Sequence, residues 1–364
     1  MTIDEKIVLI KQVGEEVVTE DDLKKLLETE PNIIAYDGFE PSGQMHIAQG
    51  LLRAININKV ISTGVKFKML VADWHALANN KMGGNLEKIQ TVGRYFIETW
   101  KACGMNMDKV EFVWASDLAK DPNYWMLVLK IAKTNSIRRF VRTAEIMGRA
   151  ESLDDLTAAQ ILYPCMQAAD IFYLNAQIAQ LGMDQRKVNM LAREIAAQLG
   201  YKKPISVSHH MLMGLMQPPV TTDDKTSRTI ELKMSKSKPD SAIFMTDIKE
   251  DIERKITKAW CPEGIVEENP ILEYFKYIIF ESLDRLNIDK LTIERPEKFG
   301  GPVILNSFQD LEQKFGAKEI HPTDLKNTLI PLLDKLIEPV RLHFETDKNA
   351  RKLLERVRSF AVTR

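Results

Sequence analysis

A chain of 364 residues exceeds a typical single domain, so one large core with a smaller one, or two comparable domains, is expected. Hydrophobic residues at 45% and charged residues at 28% give an ordinary globular composition and exclude a disordered polymer. A net charge of −1 supplies no global field for nucleic acid, so any such binding has to come from local clusters.

The start, "MTIDEKIVLIKQVGEEVV", mixes charge and apolar residues at helical spacing and lacks the apolar core and cleavage site of a signal peptide. No apolar run reaches the roughly 18–20 residues of a membrane span. Cys103, Cys165 and Cys261 are odd in number and without CxxC spacing, so neither a disulfide framework nor a zinc knuckle is expected. A cytoplasmic protein with no membrane association is the expectation.

Residues 5–18 and 19–30 read as two helices, the second capped by Thr19. "NIIAY" (32–36) ends in Gly and Pro like a buried strand. "FKMLVAD" (67–73) and "VEFVWAS" (110–116) have the same character, with the amphipathic "NLEKIQTVGRYFIETWKAC" between them. Further strand candidates lie within 170–182 and near 204–212. Strand and helix alternating in this way predict an α/β fold, a Rossmann-like doubly wound parallel sheet. Beyond about residue 245 amphipathic helices dominate. The expected division is therefore 1–245, with a helical arm over 1–30, and a helical domain over 246–364.

The stretch "YDGFEPSGQMHIAQG" (36–50) falls where the first strand turns into a helix, at the carboxyl edge where open α/β sheets bind ligands. Ser42 and Gly43 allow close approach of a phosphate, and a helix starting near His46 or Ile47 would direct its positive end at it. The pattern is neither GxGxxG nor a Walker loop. A tight turn with a surface histidine explains it equally well. In "ELKMSKSKPDSAIF" (231–244), Lys233, Lys236 and Lys238 alternate with Ser235 and Ser237, forming a cationic loop able to close over a polyphosphate. A solvated charge run is the simpler alternative for that stretch alone.

Taken together, the two stretches resemble the paired signatures of class I aminoacyl-tRNA synthetases. KMSKS is matched residue for residue at 233–237, including Met234. The HIGH signature is present as His46, Ile47, Ala48 and Gln49, where Ala replaces Gly and Gln replaces the second His. Gln49 donates a hydrogen bond but carries no charge. "YPCMQAADIFYL" (163–174) and "GMDQRKVNMLARE" (182–194) resemble the archaeal and eukaryotic tyrosyl-tRNA synthetases. The resemblance runs from about residue 30 to 345 and implies tyrosine–tRNA ligation with ATP as substrate and Mg2+ accompanying it.

The residues themselves give part of that pocket a mechanical sense. Tyr163, Gln167 and Asp170 stand at i, i+4 and i+7, one face of a helix. By resemblance the tyrosine pocket uses these three with Tyr36 and Gln185, and the nucleotide site uses Ser42, Gly43, His46, Gln49 and Lys233 to Ser237. Asp170 and Tyr36 suit a phenolic OH; Tyr163, Gln167 and Gln185 suit an ammonium group. A tryptophanyl enzyme or a non-catalytic RNA-binding paralogue are the alternatives.

"RPEKFGG" (295–301) and "HPTDLK" (321–326) resemble segments of the family's anticodon-binding domain, which implies base contacts by Phe299, His321 and Asp324 to tRNA(Tyr). The basic "KTNSIRRFVRTAEIMGR" (133–149), with Lys133, Arg138, Arg139, Arg142 and Arg149, falls in the family's connective insertion, about 117–160. The resemblance makes that insertion a homodimer bridge and places it, with Arg186 and Lys187, near an acceptor stem. His75, His209, His210 and His343 show no ligand spacing, and no metal cluster is assigned. No appended RNA-binding module is expected.

Overall fold

The computed structural model describes residues 1–147, 156–218, 228, 232, 234 and 239–360. Lys233, Ser235, Lys236, Ser237 and Lys238, and Arg149 of the basic stretch, lie outside the described residues.

Six strands form the central sheet: β1 (Gly14–Val18), β2 (Ile34–Phe39), β3 (Lys66–Val71), β4 (Val110–Trp114), β5 (Ile178–Ala179) and β6 (Ile205–His209), in the order β1-β6-β5-β2-β3-β4. β2 to β6 pair in parallel, and β1 runs antiparallel along β6. From β2 the chain moves outward to β3 and β4, then returns to place β5 on the other side of β2. The crossovers reverse direction between β2 and β5, and ligand sites of open α/β sheets lie at the carboxyl ends of such a switch point.

One expected element is corrected. The helix read over 5–18 ends at Val13, and Gly14–Val18 is the edge strand. α1 (Ile3–Val13) opens with a capping box on Thr2 and Glu5. Pairing to β6 then supplies the Gly14–Val18 backbone with hydrogen-bond partners, and this tertiary gain overrides the helical spacing of the side chains. The Thr19 cap of α2 (Glu20–Thr29) is as expected, its hydroxyl accepting from the Asp22 amide at 3.1 Å.

Strand parity sorts the side chains onto two faces. Ala35, Phe67, Met69 and Ile178 join one buried cluster with α1, α3 (Leu51–Ser62) and α5 (Leu86–Ala102). Their neighbours Tyr36, Leu70 and Ala179 join the other. That second face is covered by α7 (Pro122–Ala132), α8 (Ile137–Ala144), α9 (Ala158–Tyr173) and α10 (Arg186–Ile195), while α4 (Asp73–Ala78) and α6 (Ala115–Leu118) follow directly from β3 and β4. Strands buried on both faces have to be apolar on both, which is why they read as short continuous runs.

After residue 245 come α11 (Lys249–Lys258), α12 (Pro270–Tyr274), α13 (Leu283–Leu286), α14 (Phe308–Gly316), α15 (Pro322–Thr346) and α16 (Lys348–Ser359). A two-stranded antiparallel pair, Leu291–Ile293 with Val303–Leu305, interrupts the helices. The buried apolar residues of α15 and α16 continue the same cluster as α1, α3 and α5. No described helix is long and apolar enough to cross a membrane.

His210 ties three distant segments together. Its Nδ1 lies 3.3 Å from Glu15 of β1 and its Nε2 3.1 Å from Glu273 of α12, while its ring stacks on Tyr277 at 4.2 Å between centroids. Burial alone lowers its pKa, but the Glu15 hydrogen bond and the Glu273 carboxylate outweigh burial and push it up to about 9. A base whose folded pKa is raised adds stability below its unfolded value of about 6.5, and that stability is lost as pH rises through the folded value. His210→Ala is therefore expected to lower stability by on the order of 2 kcal/mol at pH 6. The difference in thermal unfolding between variant and parent is expected to shrink as pH rises above 6.5 and to be largely gone by about 9. A pH-independent difference would refute the ion-pair account.

Candidate active site

The loop after β2 is held against the segment that follows KMSKS. Ile47 N donates to Ile243 O at 2.8 Å and Met245 N to Met45 O at 2.9 Å, flanking an antiparallel bridge between His46 and Phe244. Gly43 has φ +104°, a left-handed conformation that favours glycine. Gly50 is needed for a different reason: a Cβ there would meet Met245 Cγ at 2.6 Å. The His46 turn and the segment 243–245, far apart in sequence, thus meet through backbone.

This pairing corrects the expected helix start. Residues 47–50 form a turn, and α3 begins at Leu51 with Gly50 as its cap. The bridge to 243–245 holds 45–47 extended, and the chain turns through 47–50 before the helix begins. Gln49 is anchored by its backbone, its carbonyl accepting from Trp100 Nε1 at 2.7 Å, while its side-chain Oε1 is buried with no partner among the described residues. The segment 242–247 is braced by Lys255, a residue to which no sequence pattern points. Its Nζ donates to Ala242 O at 3.0 Å and to Asp247 at 2.6 Å. Met234 is buried against the Tyr274 hydroxyl, 3.9 Å from its sulfur.

The predicted i, i+4, i+7 face exists on α9: Tyr163, Gln167 and Asp170 are all buried, Asp170 completely. Tyr36 projects from β2 into the same cluster because of its strand parity. Gln185 joins through Gln167 Nε2, which donates to Gln185 Oε1 at 3.1 Å, and Gln185 Nε2 donates to the Ile146 carbonyl at 2.9 Å. Those two bonds fix both amides and leave Gln167 Oε1 buried without a partner among the described residues. All five predicted residues are therefore on one side of the sheet at the switch point.

Three residues of this pocket escaped the sequence reading. Tyr124 of α7 donates to Asp170 Oδ1 at 2.9 Å. His75 of α4 brings Nε2 to 2.9 Å from Asp170 Oδ2 and sets its ring edge-on to Tyr163. The Tyr163 hydroxyl hydrogen-bonds Glu40, whose carboxylate also accepts twice from Asn79 Nδ2, at 2.9 and 3.1 Å. Burial first, and then the Asp170 charge, raises the Tyr36 and Tyr124 phenols well above their ordinary range. Burial and then Glu40 do the same for Tyr163. Asp170 is thus a carboxylate facing the phenols of Tyr36 and Tyr124, an acceptor suited to a hydroxyl donor.

Beside it lies an ion pair inside the protein: Arg53 Nη1 is 3.3 Å from Asp37 Oδ2, both essentially unexposed. Burial pushes the Asp37 carboxyl up to about 7 despite the opposing Arg53 charge.

The cationic residues divide. Arg186 is engaged in a two-point pair with Glu16 of β1, at 2.7 and 3.0 Å, and Arg139 with Glu194 at 2.8 Å. Lys133, Arg138 and Arg142 are exposed. In the helical part Phe299 is 61% exposed, an unusual state for a large aromatic ring, with Lys298 over its face. His321 caps α15, its Nδ1 accepting from Thr323 N at 3.1 Å, and Asp324 lies in the first turn. Arg295 bonds the Glu319 carbonyl, which holds the Phe299 segment against the start of α15.

The sequence model of the family described as tRNA synthetases class I (W and Y) matches residues 28–338. Tyrosine--tRNA ligase 1, cytoplasmic, of Arabidopsis thaliana is 50% identical over 98% of this chain and 89% of its own length. The chain belongs to the class I tyrosyl-tRNA synthetases. A second Arabidopsis thaliana relative, Tyrosine--tRNA ligase 2, cytoplasmic, is 51% identical over 98% of this chain, which spans 46% of that relative's length. Among solved structures, the tyrosyl-tRNA synthetase of Pyrococcus horikoshii complexed with L-tyrosine superposes with a TM-score of 0.90 at 38% identity, covering 99% of this chain and 100% of that one. Class I synthetases use ATP as substrate, and the mostly parallel sheet with its helical C-terminal part is the architecture of this family.

Proposed function

We propose that this chain activates L-tyrosine with ATP and transfers the tyrosyl group to the 3′-terminal ribose of tRNA(Tyr). The observation that carries the reading is the wholly buried Asp170 carboxylate, which shares a helix face with Tyr163 and Gln167 and meets the Tyr36 side of the sheet. A buried carboxylate is costly unless something hydrogen-bonds it, and a phenolic OH is the complement of an acceptor among neutral phenols. Asp170 and Tyr36 take the substrate OH. Tyr163, Gln167 Oε1 and Gln185 take its ammonium group, which directs the substrate carboxylate toward the loop after β2.

A substrate carboxylate oxygen attacks the α-phosphorus of ATP as the bond to pyrophosphate breaks. A ribose hydroxyl of the tRNA then attacks the acyl carbon, and AMP leaves. Ser42, Gly43, His46, Gln49, Lys233, Met234, Ser235, Lys236 and Ser237 surround the nucleotide, with His46, Gln49, Lys233 and Lys236 stabilising the crowded phosphate. The backbone pairing of 45–47 with 243–245 supports this grouping, since it brings the segment that follows KMSKS in sequence against the His46 turn. Mg2+ enters bound to the phosphates.

Phe299, His321 and Asp324 read an anticodon base; the exposure of Phe299 suits stacking on an unstacked base. Arg186 and Lys187 meet the acceptor end, Arg186 exchanging Glu16 for phosphate. The active form is a cytoplasmic homodimer bridged through about 117–160, with domains 1–245 and 246–364. The experiment is amino-acid-dependent ATP–pyrophosphate exchange: tyrosine alone is expected to support it. Exchange with tryptophan instead, or with no amino acid, rejects the reading.

A further inference from the structure

We propose that His75 is a positioning residue for the phenol-selecting carboxylate: with Tyr124 it holds Asp170 from behind and keeps it aimed into the pocket. The inference rests on the tyrosine-activating reading above and adds a role for a residue that contacts the substrate-binding carboxylate from behind.

Asp170 extends from α9 between two other helices. Tyr124 of α7 takes Oδ1 at 2.9 Å, and His75 Nε2 of α4 stands 2.9 Å from Oδ2. A carboxylate offers about four lone-pair sites; Tyr124 takes one of them by hydrogen bond, and His75 stands against the other oxygen. The His75 contact is close but bent away from the N–H line, and neither Oδ2 nor Nε2 has a straight hydrogen bond to a described residue. Its contribution is therefore mainly charge and ring placement. His75 Nδ1 is buried without a partner among the described residues, so the ring is oriented by Asp170 and by its edge contact with Tyr163.

The electrostatic reason for the clamp is burial. Asp170 is 0% exposed, and a buried carboxylate is costly unless its surroundings partner it. Of the groups facing it, Tyr36, Tyr124 and Tyr163 are phenols held neutral, so His75 is the basic side chain among those named. For His75 itself, burial lowers the pKa, but Asp170 from α9, then Glu40 from the loop after β2 and Asp73 from its own helix, raise it above the ordinary imidazole value. Lys81 lies 3.7 Å from Glu40 and offsets part of that charge. An Asp170 turned away from the pocket would accept the substrate hydroxyl less well, and it would discriminate tyrosine from phenylalanine less well.

The test measures kcat/KM for tyrosine and phenylalanine in ATP–pyrophosphate exchange, as a ratio against pH, for the unsubstituted chain, His75→Phe and His75→Gln. The unsubstituted ratio is expected to be flat over roughly pH 6–8. In His75→Phe it is expected to fall about 10- to 100-fold, because Asp170 loses the neighbour that aims Oδ2. His75→Gln keeps a donor at that place, and its ratio is expected to lie closer to the parent's. That variant carries the same test if His75→Phe does not fold. In an Asp170→Asn background, His75→Phe should leave the ratio unchanged. An unchanged ratio in the substituted chains, with both amino acids slowed equally, overturns the assignment and makes His75 a packing residue. Absence of tyrosine-dependent exchange in the unsubstituted chain overturns the activity reading and this inference with it.

Discussion

Lys236→Ala is expected to slow tyrosyl-adenylate formation by about 10²-fold or more while changing the dissociation constant of tyrosine by less than about twofold. Negative charge builds on the α-phosphate and the departing pyrophosphate as the reaction proceeds, and a mobile ammonium group interacts more strongly with that charge than with the ground state. The side chains proposed to hold tyrosine come from β2, α9 and the segment after β5, and none comes from 233–237. Single-turnover activation and equilibrium binding separate the two quantities. Near-normal activation with weakened tyrosine binding would reverse the assignment. The backbone pairing of 45–47 with 243–245 holds the segment that follows KMSKS in sequence beside the His46 turn.

Asp170→Ala is expected to lower the preference for tyrosine over phenylalanine by about 10²-fold or more, chiefly through tyrosine. A site with buried polar partners for a hydroxyl rejects a substrate lacking it because those partners stay unpaired. The ratio in tyrosine-selective synthetases as a class reaches about 10⁵. Here the unpaired groups would be Asp170 Oδ2 and the Tyr36 hydroxyl, both on the buried side of the sheet. The alanine also strips Tyr124 and His75 of their common partner, so stability should fall along with selectivity. The two effects are told apart by the ratio of kcat/KM values, which a general loss of folded protein cannot change. An unchanged ratio would remove Asp170 from the pocket.

Much of the site was legible because its chemistry is local in sequence. Tyr163, Gln167 and Asp170 follow helical period, and a helix places them together wherever it packs. Tyr36 ends a short apolar run, and the lysines of 233–237 declare their charge by composition. His75 and Tyr124 were not legible: each sits on its own short helix among apolar neighbours, and only the packing of α4 and α7 against α9 brings them to Asp170. Lys255 is hidden for the same reason. It reads as one more charge on a surface helix until the fold buries it against Asp247.

The sequence by itself determined the alternation of strands and helices, the helical character after residue 245 and the residue types of the pocket, because periodicity and turn chemistry act over a few residues. Only the tertiary structure decided that Gly14–Val18 is an edge strand, that α3 starts at Leu51, and that Asp170 is held from behind by a histidine and a tyrosine. Those outcomes depend on which backbone amides and which buried charges find partners in distant segments. Such partners exist only once the chain has closed on itself.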